Sequence, residues 1–363
     1  MKFPITKPSI TSDEIKKVFD AAKNGWGKNC YDYIQKFEKS ISKYLKSKYV
    51  ISTSSCFGAI YLALKSLEIK DGDEVILADI NWIATVAPIV HLKAKPIFVD
   101  INLKNWCIDP SEVEKKITKK TKAIIAVHLY GNVCDIYALK KIAKKYRIPL
   151  IEDAAEAFGS SINKKKVGTF GDFGCFSFHG TKTITTGEGG ALVTDNKKLY
   201  DKALKLSNHG RSGKKQFWSD EIGFKFKMSN IQAALGFSQI KRINKILDKK
   251  ISIFNEYKKE LKYKDIKLNP KKKNEINSYW MPTVILGKKN PISRDKIFRE
   301  FKKKGIDNRV FFYPLSSLPM FKTQKKNKNS YLIHKRGFNL PSYFDLKKKD
   351  IKFICKTLNR LLN

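Results

Sequence analysis

Lys182 lies in the run Phe176 to Gly190 (FSFHGTKTITTGEGG), among hydroxylic residues and glycines, directly after an apolar stretch ending at Phe178. Most other lysines of the chain stand in charge-rich, water-facing stretches. An ammonium that is partly desolvated, or close to other cations, gives up its proton more readily, and the neutral amine can attack a carbonyl to form a Schiff base. Upstream, Pro149-Leu-Ile-Glu-Asp153 reads as a buried strand ending in carboxylates. A carboxylate aimed at a pyridinium nitrogen, facing such a lysine, is the pairing that pyridoxal phosphate (PLP) chemistry requires. Spacing alone also fits a surface lysine that follows a strand.

The elements around this pair narrow the choice. From about residue 48 to 195, short apolar runs alternate with helical patterns. Tyr49-Val-Ile-Ser-Thr precedes a helix through Ala59 to Leu64; Glu74-Val-Ile-Leu precedes one from about Trp82; Pro96-Ile-Phe-Val precedes one starting at Pro110. Ala123-Ile-Ile-Ala-Val precedes a helix over Tyr137 to Tyr146, and Pro149-Leu-Ile follows. Near-continuous apolar strands separated by amphipathic helices predict an α/β fold with a mostly parallel sheet covered on both faces. In such sheets ligands collect beyond the carboxyl ends of the strands. Ser54, Ser55, Trp82, His128, Tyr130, Asp153, Ser177 and Lys182 all fall there, and their convergence weighs against the surface-lysine reading. Helical pattern resumes over Asn196 to Asn208 and over Asn230 to about Lys262. Lys264 to Glu275 reads as a solvated connection. The remainder holds a strand-like Tyr279 to Leu286, a helix over Ser293 to Lys304, Val310-Phe-Phe-Tyr-Pro, and a terminal helix over Lys347 to Leu362. These patterns predict a large domain over 12–245 and a smaller α+β domain over 246–363, with residues 1–11 packed on the latter.

Composition bounds the rest. The hydrophobic fraction of 42% over 363 residues suffices for a large core. No apolar run approaches membrane-spanning length, and the N-terminus has no signal-peptide core, so a cytoplasmic protein is expected. Six scattered cysteines form neither a CxxC pair nor a metal-ligand spacing, and read as reduced thiols with no metal. The formal net charge of +39 raises nucleic-acid binding. Yet the 73 basic residues are spread along the whole length, and only eight of them are arginines. Phosphate clamps and base readers favour the arginine fork, so no specific nucleic-acid partner is expected, only weak adhesion at low salt.

The runs Gly171 to Gly190 and Glu152-Asp-Ala-Ala-Glu-Ala-Phe-Gly159 resemble those of the DegT/StrS-type nucleotide-sugar aminotransferases, PLP enzymes of the aspartate-aminotransferase fold. The likeness runs from about Lys7 to the C-terminus, through Asn24-Gly-Trp-Gly, Val127-His-Leu-Tyr-Gly, Met228-Ser-Asn-Ile-Gln-Ala-Ala-Leu-Gly and Asn339-Leu-Pro-Ser. Within the family it is nearest to the GDP-perosamine synthase group, on Glu156, Lys182-Thr-Ile-Thr-Thr, Tyr279-Trp-Met and Phe312-Tyr-Pro-Leu. The resemblance implies a fold type I sandwich and a homodimer with shared sites. It further implies amino transfer from L-glutamate to C4 of a nucleotide-linked 4-keto-6-deoxy sugar. GDP-4-keto-6-deoxymannose is the leading substrate, and a dTDP- or UDP-linked 4-keto-6-deoxyglucose the alternative.

Carried over position by position, Lys182 would hold PLP covalently and shuttle the proton, and Asp153 would pair with the pyridine nitrogen. Trp82 would stack on the ring, or else be a core tryptophan. Glu156 would bond the phenolic oxygen where many relatives carry glutamine, either as a protonated acid or through a shared proton. Ser177 and the amides of Ser55, Cys56 and Phe57 would hold the phosphate. Asn230 would reach the partner's phosphate, or cap its own helix, or both. His179, Arg309 and Arg336 are candidate substrate contacts, each arginine equally a structural salt bridge. Phe57, His179, Asn277 and Ser316 depart from the family pattern, the last two in stretches expected near the sugar and nucleotide pocket. A histidine at the lysine position would have implied a dehydratase; Lys182 favours transamination. A non-catalytic, basic nucleic-acid-binding or regulatory protein is a third reading, which has no need of both Asp153 and Lys182.

Overall fold

The computed structural model describes residues 1–263, 265–288, 290 and 292–362. Seven strands form its central sheet: β1 Tyr49–Thr53, β2 Glu74–Ala78, β3 Lys95–Val99, β4 Thr121–Val127, β5 Leu150–Asp153, β6 Phe173–Ser177 and β7 Gly190–Thr194. Their spatial order is β1-β7-β6-β5-β4-β2-β3. All pairings from β6 to β3 are parallel, while β7 runs antiparallel to both of its neighbours. The fold is therefore the expected α/β sandwich with a mostly parallel sheet.

Alternate residues of the inner strands enter opposite cores, because successive side chains of a strand point to opposite faces. Ile76, Ile124 and Ala126 join one cluster with Phe37, Ile41, Leu139 and Ile142, contributed by the helices Asp32–Leu45 and Ile136–Tyr146. Val75, Leu77, Ile125 and Val127 join the other, with Ile60, Leu64 and Leu206 from Cys56–Ser66 and Lys197–Ser207. Both faces being covered explains the continuous apolar character of these strands.

A four-stranded antiparallel sheet follows: β8 Ile266–Leu268, β9 Thr283–Leu286, β10 Arg309–Val310 and β11 Gly337–Asn339, in the order β8-β9-β11-β10. Its own apolar cluster takes Phe301 from the Arg294–Lys303 helix, Ile354 and Leu358 from Lys348–Leu362, and Phe3. The N-terminal residues lie along this sheet: Lys2 and Phe3 donate their amides to Gly305 O, and Asp307 donates to Phe3 O. The long Ile243–Glu260 helix feeds Ile246 to the first cluster and Tyr257 to the third.

Some boundaries differ from expectation. The helical pattern from Asn230 breaks at Arg242, which separates Asn230–Lys241 from Ile243–Glu260. Tyr279 to Pro282 is not strand; Tyr279 has φ +46°, a left-handed turn that brings the chain into β9. The helices Ser12–Asn24 and Lys328–Arg336 have no counterpart in the expected set, although Thr11 and Glu14 form a reciprocal capping box at the start of the first. Lys264, the expected start of the connection, lies outside the described residues. No described helix is long and apolar enough to cross a membrane.

Candidate active site

Asp153 is the last residue of β5, and its carboxylate is buried at the carboxyl edge of the sheet. Its Oδ2 accepts the Thr85 hydroxyl at 2.5 Å and its Oδ1 the Ala155 amide at 3.1 Å. Thr85 belongs to the short 3-10 turn Ile83–Thr85 that stands where a helix from Trp82 was expected. Burial pushes the Asp153 carboxyl above the usual carboxylate range, against the opposing pull of Thr85, Ala155 and Lys182. Its bonding partners, the Thr85 hydroxyl, the Ala155 amide and the Cys56 thiol at 4.0 Å, carry no charge, so among the described residues the buried carboxylate has no ion-pair partner.

Glu156, three residues on, is also buried, and burial again pushes its carboxyl up. Its Oε2 accepts the Tyr130 amide at 2.8 Å and its Oε1 faces Lys182 Nζ at 3.4 Å. Tyr130 reaches that position through a left-handed backbone, φ +54°. Lys182 sits on the loop between β6 and β7, its side chain only 15% exposed. Its Nζ lies 3.7 Å from the centroid of the Trp280 ring, and the Trp280 indole N–H donates to Thr181 O at 2.7 Å. Lys182 Nζ thus has the Glu156 carboxyl group on one side and an aromatic face on the other.

The neighbouring Glu152 has a different job. Burial would push its carboxyl up, but the His128 ring at 3.0 Å and the Gly168, Phe170 and Gly171 amides hold it below the usual range. Since His128 Nδ1 accepts from the Cys134 amide at 3.2 Å, the ring must donate to Glu152 through Nε2. His128 is therefore a core histidine that ties the turn after β4 to β5.

The helix Cys56–Ser66 opens toward this edge. Ser55 caps it, its Oγ accepting the Gly58 amide at 3.1 Å. Gly190 permits the approach: a Cβ there would stand 2.6 Å from Cys56 N and 2.7 Å from Phe176 O. First-turn amides of Cys56 and Phe57 have no intrahelical acceptor, which suits this end to an anion. The Phe57 ring turns away toward Tyr61 and His91, at 6.2 and 5.8 Å. Ser177 ends β6 and accepts the His179 amide at 3.3 Å. Burial pushes the Cys56 and Cys175 thiols up, so neither is an ionised nucleophile.

Trp82 is 58% exposed, which rules out a core role, and leads an aromatic wall into the site. Its ring lies 6.0 Å from Phe312, Phe312 lies 5.2 Å from Tyr130, and Tyr130 lies 5.9 Å from Trp280. Tyr130 lies at the sheet edge as expected, whereas Thr85, Phe312 and Trp280 have no place among the expected site residues. The short-range pattern carries no signal for Thr85; Trp280 sat inside a motif that read as strand.

Other expectations are corrected. The cap of the Asn230–Lys241 helix is Ser229, paired with Gln232 in a capping box, not Asn230. Asn230 is buried in its own chain, accepting the Tyr33 amide at 2.9 Å and donating to Gly25 O and Asn29 O at 3.4 Å. Arg309 binds Asp307 at 2.6 Å and the Asn308 carbonyl, and Arg336 binds the carbonyls of Gly287 and Lys288. Both arginines have structural partners and neither joins the Lys182 cluster. His179 is half-exposed and folds over its own loop, with Nδ1 2.9 Å from the Thr181 hydroxyl and Nε2 3.5 Å from Glu188. Asn277 and Ser316 are buried and engaged: Asn277 bridges Asn132 and the Tyr279 amide, and Ser316 binds Asp79 and Tyr331.

The residues present fit PLP. A buried carboxylate lacks a cation where a pyridinium nitrogen would supply one, a lysine stands near, and a helix N-terminus is cleared by a glycine. This pair, at the carboxyl edge of a sheet in this strand order, defines a PLP enzyme of the aspartate-aminotransferase fold. The chain belongs to the DegT/DnrJ/EryC1/StrS aminotransferase family, whose profile matches residues 8–359; it is a PLP-dependent sugar aminotransferase. It is 37% identical over 365 residues to the GDP-perosamine synthase of Vibrio cholerae, covering 99% of both chains. It is 38% identical over 361 residues to that of Escherichia coli O157:H7, covering 99% of this chain and 98% of the relative. A sugar aminotransferase structure from Streptococcus pneumoniae, in its PLP form, superposes with TM-score 0.92 at 28% identity, over 99% of this chain and 98% of the other.

Proposed function

We propose that the chain moves the amino group of L-glutamate to C4 of GDP-4-keto-6-deoxymannose, giving GDP-perosamine and 2-oxoglutarate. The observation that carries this reading is the full-length identity of 37–38% to two GDP-perosamine synthases. When bound, PLP supplies the electron sink for carbanion formation at the reacting carbon. Asp153 would keep the pyridine nitrogen protonated. Lys182 Nζ would hold the cofactor covalently between turnovers, and then carry the proton between the substrate carbon and cofactor C4′. Glu156, whose carboxyl is pushed up by burial, would donate a proton to the phenolic oxygen or share one with it. The amides at Cys56 and Phe57, with Ser177, would bind the phosphate, and Trp82 would lie against the ring. The 2-oxoglutarate would leave before the ketosugar binds, so initial rates should be ping-pong, with the same lysine serving both half-reactions.

We also read the active unit as a cytoplasmic homodimer, with residues 12–245 as the cofactor-binding domain and 246–363 as the smaller one. The substrate test is direct. Purified protein with PLP and glutamate is given GDP-, dTDP- and UDP-linked 4-keto-6-deoxyhexoses, and kcat/KM is compared. The GDP-linked mannose series should lead by at least about tenfold, a difference of roughly 1.4 kcal/mol. A tenfold lead for a dTDP- or UDP-linked glucose-series sugar would replace the substrate and leave the aminotransferase intact.

A further inference from the structure

Lys250 lies within the Ile243–Glu260 helix with its side chain enclosed. Its ammonium donates to Ser342 O at 2.6 Å, Ser342 Oγ at 3.0 Å and Trp280 O at 3.2 Å, which uses all three of its donors. None of these acceptors carries a charge, and burial pushes the ammonium down to about 7. The charged groups facing the same small cavity are basic too. Lys249 on its own helix donates to Leu346 O at 3.0 Å, Lys7 from the N-terminal segment pairs with Asp345 at 3.4 Å, and Lys182 enters from the loop after β6. Tyr343 closes the cavity. An apolar side chain of the same length would fill this space without desolvating a cation, so stability alone does not account for a lysine here.

The hydrogen bonds show what the lysine holds. Trp280 is gripped at both ends, its carbonyl by Lys250 and its indole N–H by the Thr181 carbonyl, with its ring face 3.7 Å from Lys182 Nζ. One turn along from Lys250, Phe254 stacks on Tyr279 at 3.7 Å between centroids and 8° between planes. The Tyr257 hydroxyl donates to Pro341 O at 3.0 Å. Residues three and four apart share a helix face, so Lys250, Phe254 and Tyr257 together clamp the 279–280 turn and the 341–342 turn.

We propose that Lys250 is a positioning residue, whose three hydrogen bonds fix Trp280 as the plate against which the amine of Lys182 is held. This rests on the reading of Lys182 as the cofactor lysine. The test follows the visible absorbance that appears as the apo chain captures PLP, with the capture rate measured at one fixed pH. Capture needs the Lys182 amine held in place for the incoming aldehyde, so loosening the plate should slow it. Lys250→Met should slow capture at least about fivefold. Trp280→Leu should slow it as far, and the double variant no further, because the two residues act through one contact. A Lys250→Met capture rate equal to wild type, or single losses that multiply in the double variant, would overturn the proposal. Should Lys250→Met not fold, Lys250→Gln is read by the same criterion. Failure of both to fold would make Lys250 a stability residue and also overturn it. Borohydride reduction and peptide mapping of the wild type come first: label on a lysine other than Lys182 defeats the site reading itself, before any variant is compared.

Discussion

Asp153 is held by a hydroxyl and an amide in a buried site, with burial raising its carboxyl above the ordinary range. The sign of the consequence can be worked out. A folded-state pKa raised above the unfolded value contributes stability that is present at low pH and lost as pH rises through the raised value. The apo chain should therefore lose stability as pH climbs from the ordinary carboxylate range toward neutral. PLP, by bringing a cation to the carboxylate, should restore it, so the gain in melting temperature on adding PLP should be larger at pH 7.5 than at pH 5. Asp153→Asn keeps the shape and removes the charge, so it should flatten that pH trend. Its turnover should fall at least about a hundredfold, roughly 2.7 kcal/mol of transition-state stabilisation. Differential scanning at the two pH values and steady-state rates check both halves. A near-normal rate would assign the pyridine nitrogen to another group.

Between residues and the whole fold, the strand–loop–helix junctions set the site. Gly190 shows how little tolerance they have, since a Cβ would press on Cys56 N, the Ser55 carbonyl carbon and Phe176 O together. Backbone cannot give way as a flexible side chain can, so Gly190→Ala should move the helix start away from the cofactor phosphate. The dissociation constant for PLP should rise at least about tenfold, that is by roughly 1.4 kcal/mol. Gly187→Ala, where a Cβ meets nothing within 4 Å but φ is +82°, serves as a control for turn strain alone. Equal loss of affinity in both variants would remove the packing argument. These junctions were also the readable part of the sequence. Asp153 and Lys182 stood out because a fully buried parallel strand is a continuous apolar run, and a carboxylate at its end breaks the run. Thr85, Phe312 and Trp280 do not stand out, because each is brought in by tertiary contact, Trp280 directly after the left-handed turn at Tyr279. The arginines are ambiguous in the sequence for the opposite reason: a planar fork suits a carboxylate or a backbone carbonyl pair as well as a diphosphate, and in this chain Arg309 binds Asp307 and Arg336 binds carbonyls.

The whole molecule leaves an apolar surface uncovered around Asn230. On the Ser12–Asn24 helix, Ile15 and Phe19 are 63% and 66% exposed and four residues apart, hence on one face, and Trp26 just beyond is 64% exposed. Asn230 donates to Gly25 O and Asn29 O, and Lys227 lies over the Tyr31 ring at 3.7 Å, so the segment preceding Asn230 adjoins this surface. Contiguous exposed apolar residues mark a surface that another protein covers, and a second copy of this chain is the occupant consistent with the homodimer proposed above. Its disruption separates assembly from chemistry better than Asn230→Ala does, because removing Asn230 also strands the Tyr33 amide inside its own chain, at a cost of about 1–3 kcal/mol. Phe19→Glu combined with Trp26→Glu changes only exposed side chains, so the fold should persist by circular dichroism. Sedimentation velocity at micromolar concentration should show the wild type as a dimer and the double variant as a monomer. If the sites are shared, the monomer should also lose activity, by at least about tenfold at the same total protein. A double variant that sediments as a monomer and turns over at the wild-type rate would show that one chain completes its own site, and a wild type that sediments as a monomer would remove the dimer altogether.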